Sequence, residues 1–327
     1  MTYAASFLIS FCVTALFGLL LIPLLRRLKA GQSIKRDGPI WHLSKEGTPT
    51  MGGLMFIAGM IAAVLAAFLT SLRGDAVAPA MLAFALVQGL IGFADDLRKV
   101  RRRGNKGLSG PQKFLLQLAA AVAFILLLRH KGYLSPELYI PFIGTRLHMS
   151  EPVYFVFAAF VSVGTVNAVN LTAGVDGLLS GVTLPTVICF AALAMHWGEK
   201  AQAVFAAALT AGIAAFLIFN FNPAKVFMGD TGSLFIGGAL CALAFAADMP
   251  LILVPLGVIY IAEAMSDIIQ VAWFKLTHGK RIFRMAPLHH HFEKCGWSEK
   301  KIFAVFTAVS AVFALLTWMG VKSRYGI

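Results

Sequence analysis

Asp95 and Asp96 stand side by side in FADDLRK, where a long apolar run gives way to a strongly basic one. Asp176 lies in NAVNLTAGVDG and Asp230 in NFNPAKVFMGDTGS, each at the junction of two further apolar runs. Carboxylates set among lysines and arginines can hold Mg²⁺ while the cations hold phosphate. Mg²⁺ typically takes one or two carboxylates together with phosphate oxygens of a substrate. A single aspartate at a helix end is ordinarily a cap or a group reaching to water. Repetition at three junctions, beside basic loops, points instead to a centre that handles phosphate and metal. Glycines around Asp176 and Asp230 permit tight turns and close ligand approach.

Two more segments carry unusual polar chemistry. KEGTPTMGG, residues 45–53, puts Lys45, Thr48, Thr50 and three glycines at the entry to an apolar run. Hydroxyls and backbone N–H groups there can meet an anion. Neither a GxxxxGK[ST] loop nor a GxGxxG fingerprint accompanies it. MAPLHHHFEKCGW, residues 285–297, holds His289, His290 and His291 in a row. Contiguous side chains point in different directions, and the pattern is not HExxH; zinc through His291 and Cys295 lacks partner ligands. Imidazoles that touch phosphate or move a proton near neutral pH fit better. The four cysteines, Cys12, Cys189, Cys241 and Cys295, form no CxxC pair and suggest no disulfide framework.

These residues need elements to position them, and the composition says which. The chain has 327 residues, 59% hydrophobic and only 13% charged, about half the charge of an average globular domain. Apolar runs recur from end to end, so the expectation is one all-α polytopic membrane domain spanning 1–327. Runs of spanning length predict ten helices, at about 4–25, 51–70, 77–94, 113–129, 152–169, 178–196, 201–219, 232–248, 250–274 and 302–320. On this reading Asp95 and Asp96 end the third helix, and Glu263 and Asp267 lie within the ninth as structural groups. The first run lacks a basic leader and is followed by Arg26, Arg27 and Lys29, which predicts a retained helix.

Charge placement orients the bundle. With the N-terminus outside, the loops 26–50, 95–112, 170–177, 220–231 and 275–301, with Lys113, carry 21 of the 28 Lys and Arg residues. Both termini are therefore expected outside and the aspartates on the cytoplasmic face. Segment 130–151, with short alternating pieces broken by Pro and Gly, predicts a small outer hairpin. The net charge of +13 serves topology and attraction to anionic lipid; no nucleic acid is expected as a partner.

FADDLRK, NAVNLTxGxDGL, FMGDTGS and PLHHHFE, in this order, resemble the polyprenyl-phosphate N-acetylhexosamine-1-phosphate transferases. GTPTMGG and APLHHHFEKCGW resemble the branch of that family whose donor is UDP-MurNAc-pentapeptide. The resemblance implies a homodimer in the bacterial inner membrane. Its active site opens to the cytoplasm and, with Mg²⁺, moves phospho-MurNAc-pentapeptide onto undecaprenyl phosphate. By matched position it implies catalytic roles for Asp95, Asp96, Asp230 and His289, with Mg²⁺ at Asp230. Lys45, Thr50, Asn170, Asp176, Phe227 and Gln270 match substrate-contacting positions, Phe227 as the stacking partner of uracil. Lys99, Lys106, His290 and His291 are further phosphate-contact candidates. The family usually reads NLTDGxDG, and this chain has Ala173 in place of the first aspartate. The resemblance also favours a broken ninth helix.

Two routes suit such a transfer: direct attack by the lipid phosphate with Asp95 or Asp96 as base, or two steps through a phospho-aspartyl intermediate. A sister enzyme using UDP-GlcNAc and a membrane transporter are the alternative functions. The second needs ionisable groups along a mid-membrane path and repeated halves, whereas the motif acids gather at one side.

Overall fold

The structure is a computed structural model that describes residues 3–28, 31, 45, 47–102, 104 and 106–322. Helices α1 (Tyr3–Arg27), α2 (Gly53–Thr70), α3 (Val77–Arg101) and α4 (Gly110–His130) come first. Strands β1 (Glu137–Tyr139) and β2 (Arg146–His148) then pair antiparallel. Helices α5 (Glu151–Leu171), α6 (Leu178–His196), α7 (Lys200–Asn220) and α8 (Gly229–Ala246) follow. The chain closes with α9 (Leu253–Leu256), α10 (Val258–Leu276), α11 (Leu288–Lys294) and α12 (Glu299–Val321). Among the described residues nine helices are long and apolar enough to cross a membrane, or ten if the bent pair Pro250–Leu256 and Val258–Leu276 is one span. The protein is a polytopic, mainly helical membrane protein.

Burial grades the helices. In the apolar window of α8, 89% of residues are buried, against 28% for α4 and α12. The centre of the bundle is thus α8, and the peripheral helices show apolar faces suited to lipid. Small residues let neighbours approach α8 closely. A methyl group added at Gly92 of α3 would strike the backbone of Asp230 at the start of α8. Phe56 of α2 fills the space beside them, its ring 5.4 Å from Phe216 and 5.9 Å from Phe235. Hydroxyls tie helices together across the apolar interior, as where Ser10 donates to the Ala208 carbonyl at 2.7 Å.

Several boundaries differ from the sequence reading for physical reasons. Helix α3 does not end at the paired aspartates but runs on to Arg101. Arg98, Lys99 and Arg101 are good helix formers and favour a helix C-terminus, so the helix outlasts its apolar run. Asp95 and Asp96 are therefore helical, one turn before Lys99. The ninth run is broken: its two pieces meet at Gly257 and bend by 82°. The histidine segment, expected as loop, forms α11. Of the basic residues used to orient the bundle, Lys29, Lys35, Arg36, Arg103 and Arg324 lie outside the described residues, as does most of loop 26–50.

Candidate active site

The start of α4 shows how local sequence sets the site. Ser109 accepts from the Gln112 N–H at 3.4 Å, and the Gln112 side chain accepts from the Ser109 N–H at 3.1 Å. This reciprocal cap fixes the helix start, which places Lys113 in the first turn. The loop before the cap folds over α3, where the Leu108 N–H donates to Asp95 Oδ1 at 2.7 Å. Gly107 is required here, because a side chain would collide with the Asp95 carboxylate.

Asp95, Asp96 and Asp230 converge, with one oxygen from each within 4.8 Å of the others. Asp95 and Asp96 are each 2% exposed. Lys99 Nζ lies 2.5 Å from Asp95 Oδ2, 3.2 Å from Asp230 Oδ2 and 3.6 Å from Asp96 Oδ1. Lys113 Nζ lies 2.5 Å from Asp230 Oδ2 and 3.7 Å from Asp95 Oδ1. Asp96 is fixed from the other side, Oδ2 accepting from the Thr231 N–H at 2.9 Å and its hydroxyl at 2.8 Å. Asn170 donates to Asp230 Oδ1 at 3.1 Å. Gly229 takes a φ of +68° with no room for a Cβ between Asp96 and Thr50.

The cluster suits a cation. Three carboxylates face two ammonium groups, so its formal charge is negative. Asp95 Oδ2 is buried and makes no hydrogen bond of good geometry, although the Lys99 ammonium is beside it. Carboxylate oxygens gathered in this way fit Mg²⁺. Among the described residues no other group of three acidic, His or Cys side chains is arranged to hold a metal.

A second cluster lies further along the α5–α6 turn. Asp176 Oδ1 accepts from Lys45 Nζ at 2.6 Å, while Oδ2 accepts from Asn222 at 3.2 Å and the Ala224 N–H at 2.9 Å. Lys45 also donates to Glu299 Oε2 at 2.7 Å. Backbone pairing knits the neighbouring loops: the Phe227 N–H donates to the Pro49 carbonyl at 2.8 Å, and the Gly52 N–H donates to the Phe227 carbonyl at 2.8 Å. These bonds join the backbone segments that carry Thr50 and Phe227.

The histidines part company as their contiguity demands. His289 is 1% exposed, and its Nδ1 meets Glu263 Oε2 at 2.9 Å. His290 Nδ1 meets Glu293 Oε2 at 2.6 Å. His291 Nδ1 accepts from the Arg284 N–H at 3.1 Å, and its Nε2 is 3.7 Å from Cys295 Sγ. The Nε2 edge of His289 abuts Gly174, where a Cβ would overlap the ring. One short turn thus carries Asn170 on the aspartate cluster, Gly174 on His289 and Asp176 on Lys45. Four residues of chain reach at most about 14 Å, which bounds the spread of the backbone joining Asn170 to Gly174.

Asp95, Asp96, Asp230, Asn170 and Lys99 of the expected set thus meet directly. Lys45 and Asp176 meet each other, and His289 meets the turn between the two groups. Gln270 is engaged by the segment before α11: its amide oxygen accepts from the Ile282 and Phe283 N–H groups, and its nitrogen donates to the Phe283 carbonyl. Lys106 is exposed and forms no ion pair among the described residues. Lys113 and Glu299 escaped the sequence reading as site residues. The Ser-Gly-Pro-Gln cap before Lys113 and the Ser298 cap before Glu299 were the signals, since each puts the charge in the first turn of a helix.

The structure defines a helical membrane protein with carboxylates and lysines gathered where helix ends meet. Residues 78–248 match the model of glycosyl transferase family 4. Residues 45–57 match the phospho-N-acetylmuramoyl-pentapeptide-transferase signature 1. A phospho-N-acetylmuramoyl-pentapeptide-transferase of Desulforamulus reducens is 45% identical over 315 residues, covering 96% of this chain and 94% of the relative. The one of Caldanaerobacter subterraneus is 46% identical over 308 residues, 93% and 94% of the two chains. That of Staphylococcus carnosus is 43% identical over 318 residues, 96% and 98%. The chain belongs to the phospho-N-acetylmuramoyl-pentapeptide-transferase family.

Proposed function

We propose that this chain transfers phospho-MurNAc-pentapeptide from UDP-MurNAc-pentapeptide to undecaprenyl phosphate, giving lipid I and UMP. The observation that carries the proposal is the convergence of three carboxylates and two lysines at one end of an apolar helical bundle. Reaction between two polyanions is hindered mainly by repulsion, so the protein contributes alignment and charge stabilisation. Lys99 and Lys113 are the cations in reach of the reacting phosphates. Asp230, with Asp95 and Asp96 beside it, would hold Mg²⁺. When bound, that ion supplies charge neutralisation on the pyrophosphate and on the departing UMP.

In the transfer an oxygen of the lipid phosphate bonds to the sugar-linked phosphorus, and the bond from that phosphorus to the UMP oxygen breaks. Asp95 or Asp96 accepts the proton of the lipid phosphate if it carries one. Asp96 Oδ2 is already engaged by Thr231, so its Oδ1 is the freer oxygen for this step. Lys45, Asp176, Thr50 and Phe227 take the nucleotide, with the Phe227 ring stacking on uracil. Family resemblance alone supports a homodimer as the working form.

An apolar cavity of about 750 Å³ between α4 and α5 supports the lipid half of the reading. Phe114, Leu118, Leu126, Phe155 and Phe160 line it, and Asn167 closes its polar end. Phe114 follows Lys113 directly, and Asn167 precedes Asn170 by three residues, so the cavity lining adjoins in sequence two of the partners of Asp230. A polyprenyl chain fits there with its phosphate near Lys113. The skew of Lys and Arg toward the loops on this side supports a cytoplasmic orientation.

The test is an assay of purified protein with undecaprenyl phosphate and either UDP-MurNAc-pentapeptide or UDP-GlcNAc. The expected result is release of UMP together with a lipid-linked MurNAc product. Preference for UDP-GlcNAc, or movement of a solute without UMP release, would contradict the proposal.

A further inference from the structure

Glu263 is fully buried in α10, at 0% exposure, inside the bent helix pair that is long and apolar enough to count as a span. Charged groups in such places are costly and usually tied to function. Both of its oxygens turn to one residue. Oε1 accepts from the His289 N–H at 3.2 Å, and Oε2 meets His289 Nδ1 at 2.9 Å. Gln270, seven residues along the same helix, takes the Ile282 and Phe283 N–H groups. The two side chains therefore hold both ends of the segment that delivers the histidines.

Holding a backbone N–H needs no charge, as Gln270 demonstrates. The carboxylate at 263 has a further consequence for the ring. With Nδ1–H donating to Glu263, Nε2 becomes the nitrogen left for other chemistry. That Nε2 is buried and has no hydrogen-bond partner. Buried polar atoms are nearly always paired, so this nitrogen is open to a partner. It faces Gly174, in the turn that also carries Asn170 and Asp176.

We infer that Glu263 is a positioning residue for the transfer, acting through His289: it fixes the ring so that Nε2 meets a phosphate oxygen entering beside Gly174. The carboxylate stabilises positive charge on the imidazole while Nε2–H donates to that oxygen, the role an acid behind a histidine plays in other active sites. This rests on the transferase reading above.

Turnover and KM for UDP-MurNAc-pentapeptide, with thermal unfolding, are measured for the wild type, Glu263→Gln, His289→Ala and the double variant, using a radiolabelled donor. Glutamine keeps an acceptor for the N–H but removes the charge. The expected result is a fall in kcat of about 10–100-fold with KM changed by less than about threefold, and little further loss when His289 is already alanine. An unchanged kcat, or the same loss in the His289→Ala background, overturns the inference. If Glu263→Gln does not fold, Gly174→Ala perturbs the same ring from its other edge. Its loss must likewise vanish in the His289→Ala background, and a loss that persists there overturns the inference. A wild type silent with this donor counts against the transferase reading, whereas an active wild type with independent losses counts against Glu263 alone.

Discussion

Helix α8 carries an aspartate at each end, and the two live differently. Asp248, just past the C-terminus, accepts from the Ser135 N–H at 3.1 Å and its hydroxyl at 2.8 Å, fixing the segment before the β-ribbon. Asp230, at the N-terminus, meets two lysines, an asparagine and two more carboxylates. At the Asp248 end the carboxylate fastens a loop through the Ser135 N–H and hydroxyl. At the Asp230 end like charges are forced together, an arrangement that stability alone would not favour. Ion pairs around the ribbon repeat the lesson: Arg146 with Glu137 and Arg129 with Glu151 stand in the open, where such pairs contribute about 0–1 kcal/mol.

The contrast can be broken by mutation. Asp230→Asn should lower Mg²⁺-dependent UMP release by about 10³-fold or more while thermal unfolding stays near the wild type; near-normal turnover would remove Asp230 from the metal role. Phe227→Ala should raise KM for the UDP-linked donor by about 5–100-fold through lost stacking, with a smaller change in kcat. Asp248→Ala should leave kcat within about threefold and lower stability by about 1–3 kcal/mol, because the Ser135 N–H loses its acceptor. Ala173→Asp, which restores the carboxylate usual in the family, should leave activity equal or higher. A clear loss there would show that the turn is not aligned as its sequence suggests.

The spans were legible because apolar runs of membrane length leave few other folds open. Helix ends were less so. An apolar run marks depth in the bilayer, whereas α3 continues through Arg98, Lys99 and Arg101 because those side chains favour helix in water. Helix α11 has seven residues, too few for a periodic signal. The types of residue in the site could be read, since paired aspartates beside lysines have few purposes in so apolar a chain. Their pairing could not. Lys45 and Glu299 are 254 residues apart, and Lys113 and Asp230 are separated by 117. Nor could the sequence show that the Gln270 amide braces the loop that leads to α11.

In the proposed reaction Asp95, Asp96 and Asp230 act as one metal-dependent centre. The most direct test of that proposal is binding of Mn²⁺, as a paramagnetic probe for Mg²⁺, to wild-type protein and to Asp230→Asn with UDP-MurNAc-pentapeptide present. One Mn²⁺ is expected to bind per chain, to be displaced by excess Mg²⁺ and to be lost in the variant. Equal binding by the two proteins, or turnover in the wild type that needs no divalent cation, would contradict the proposal.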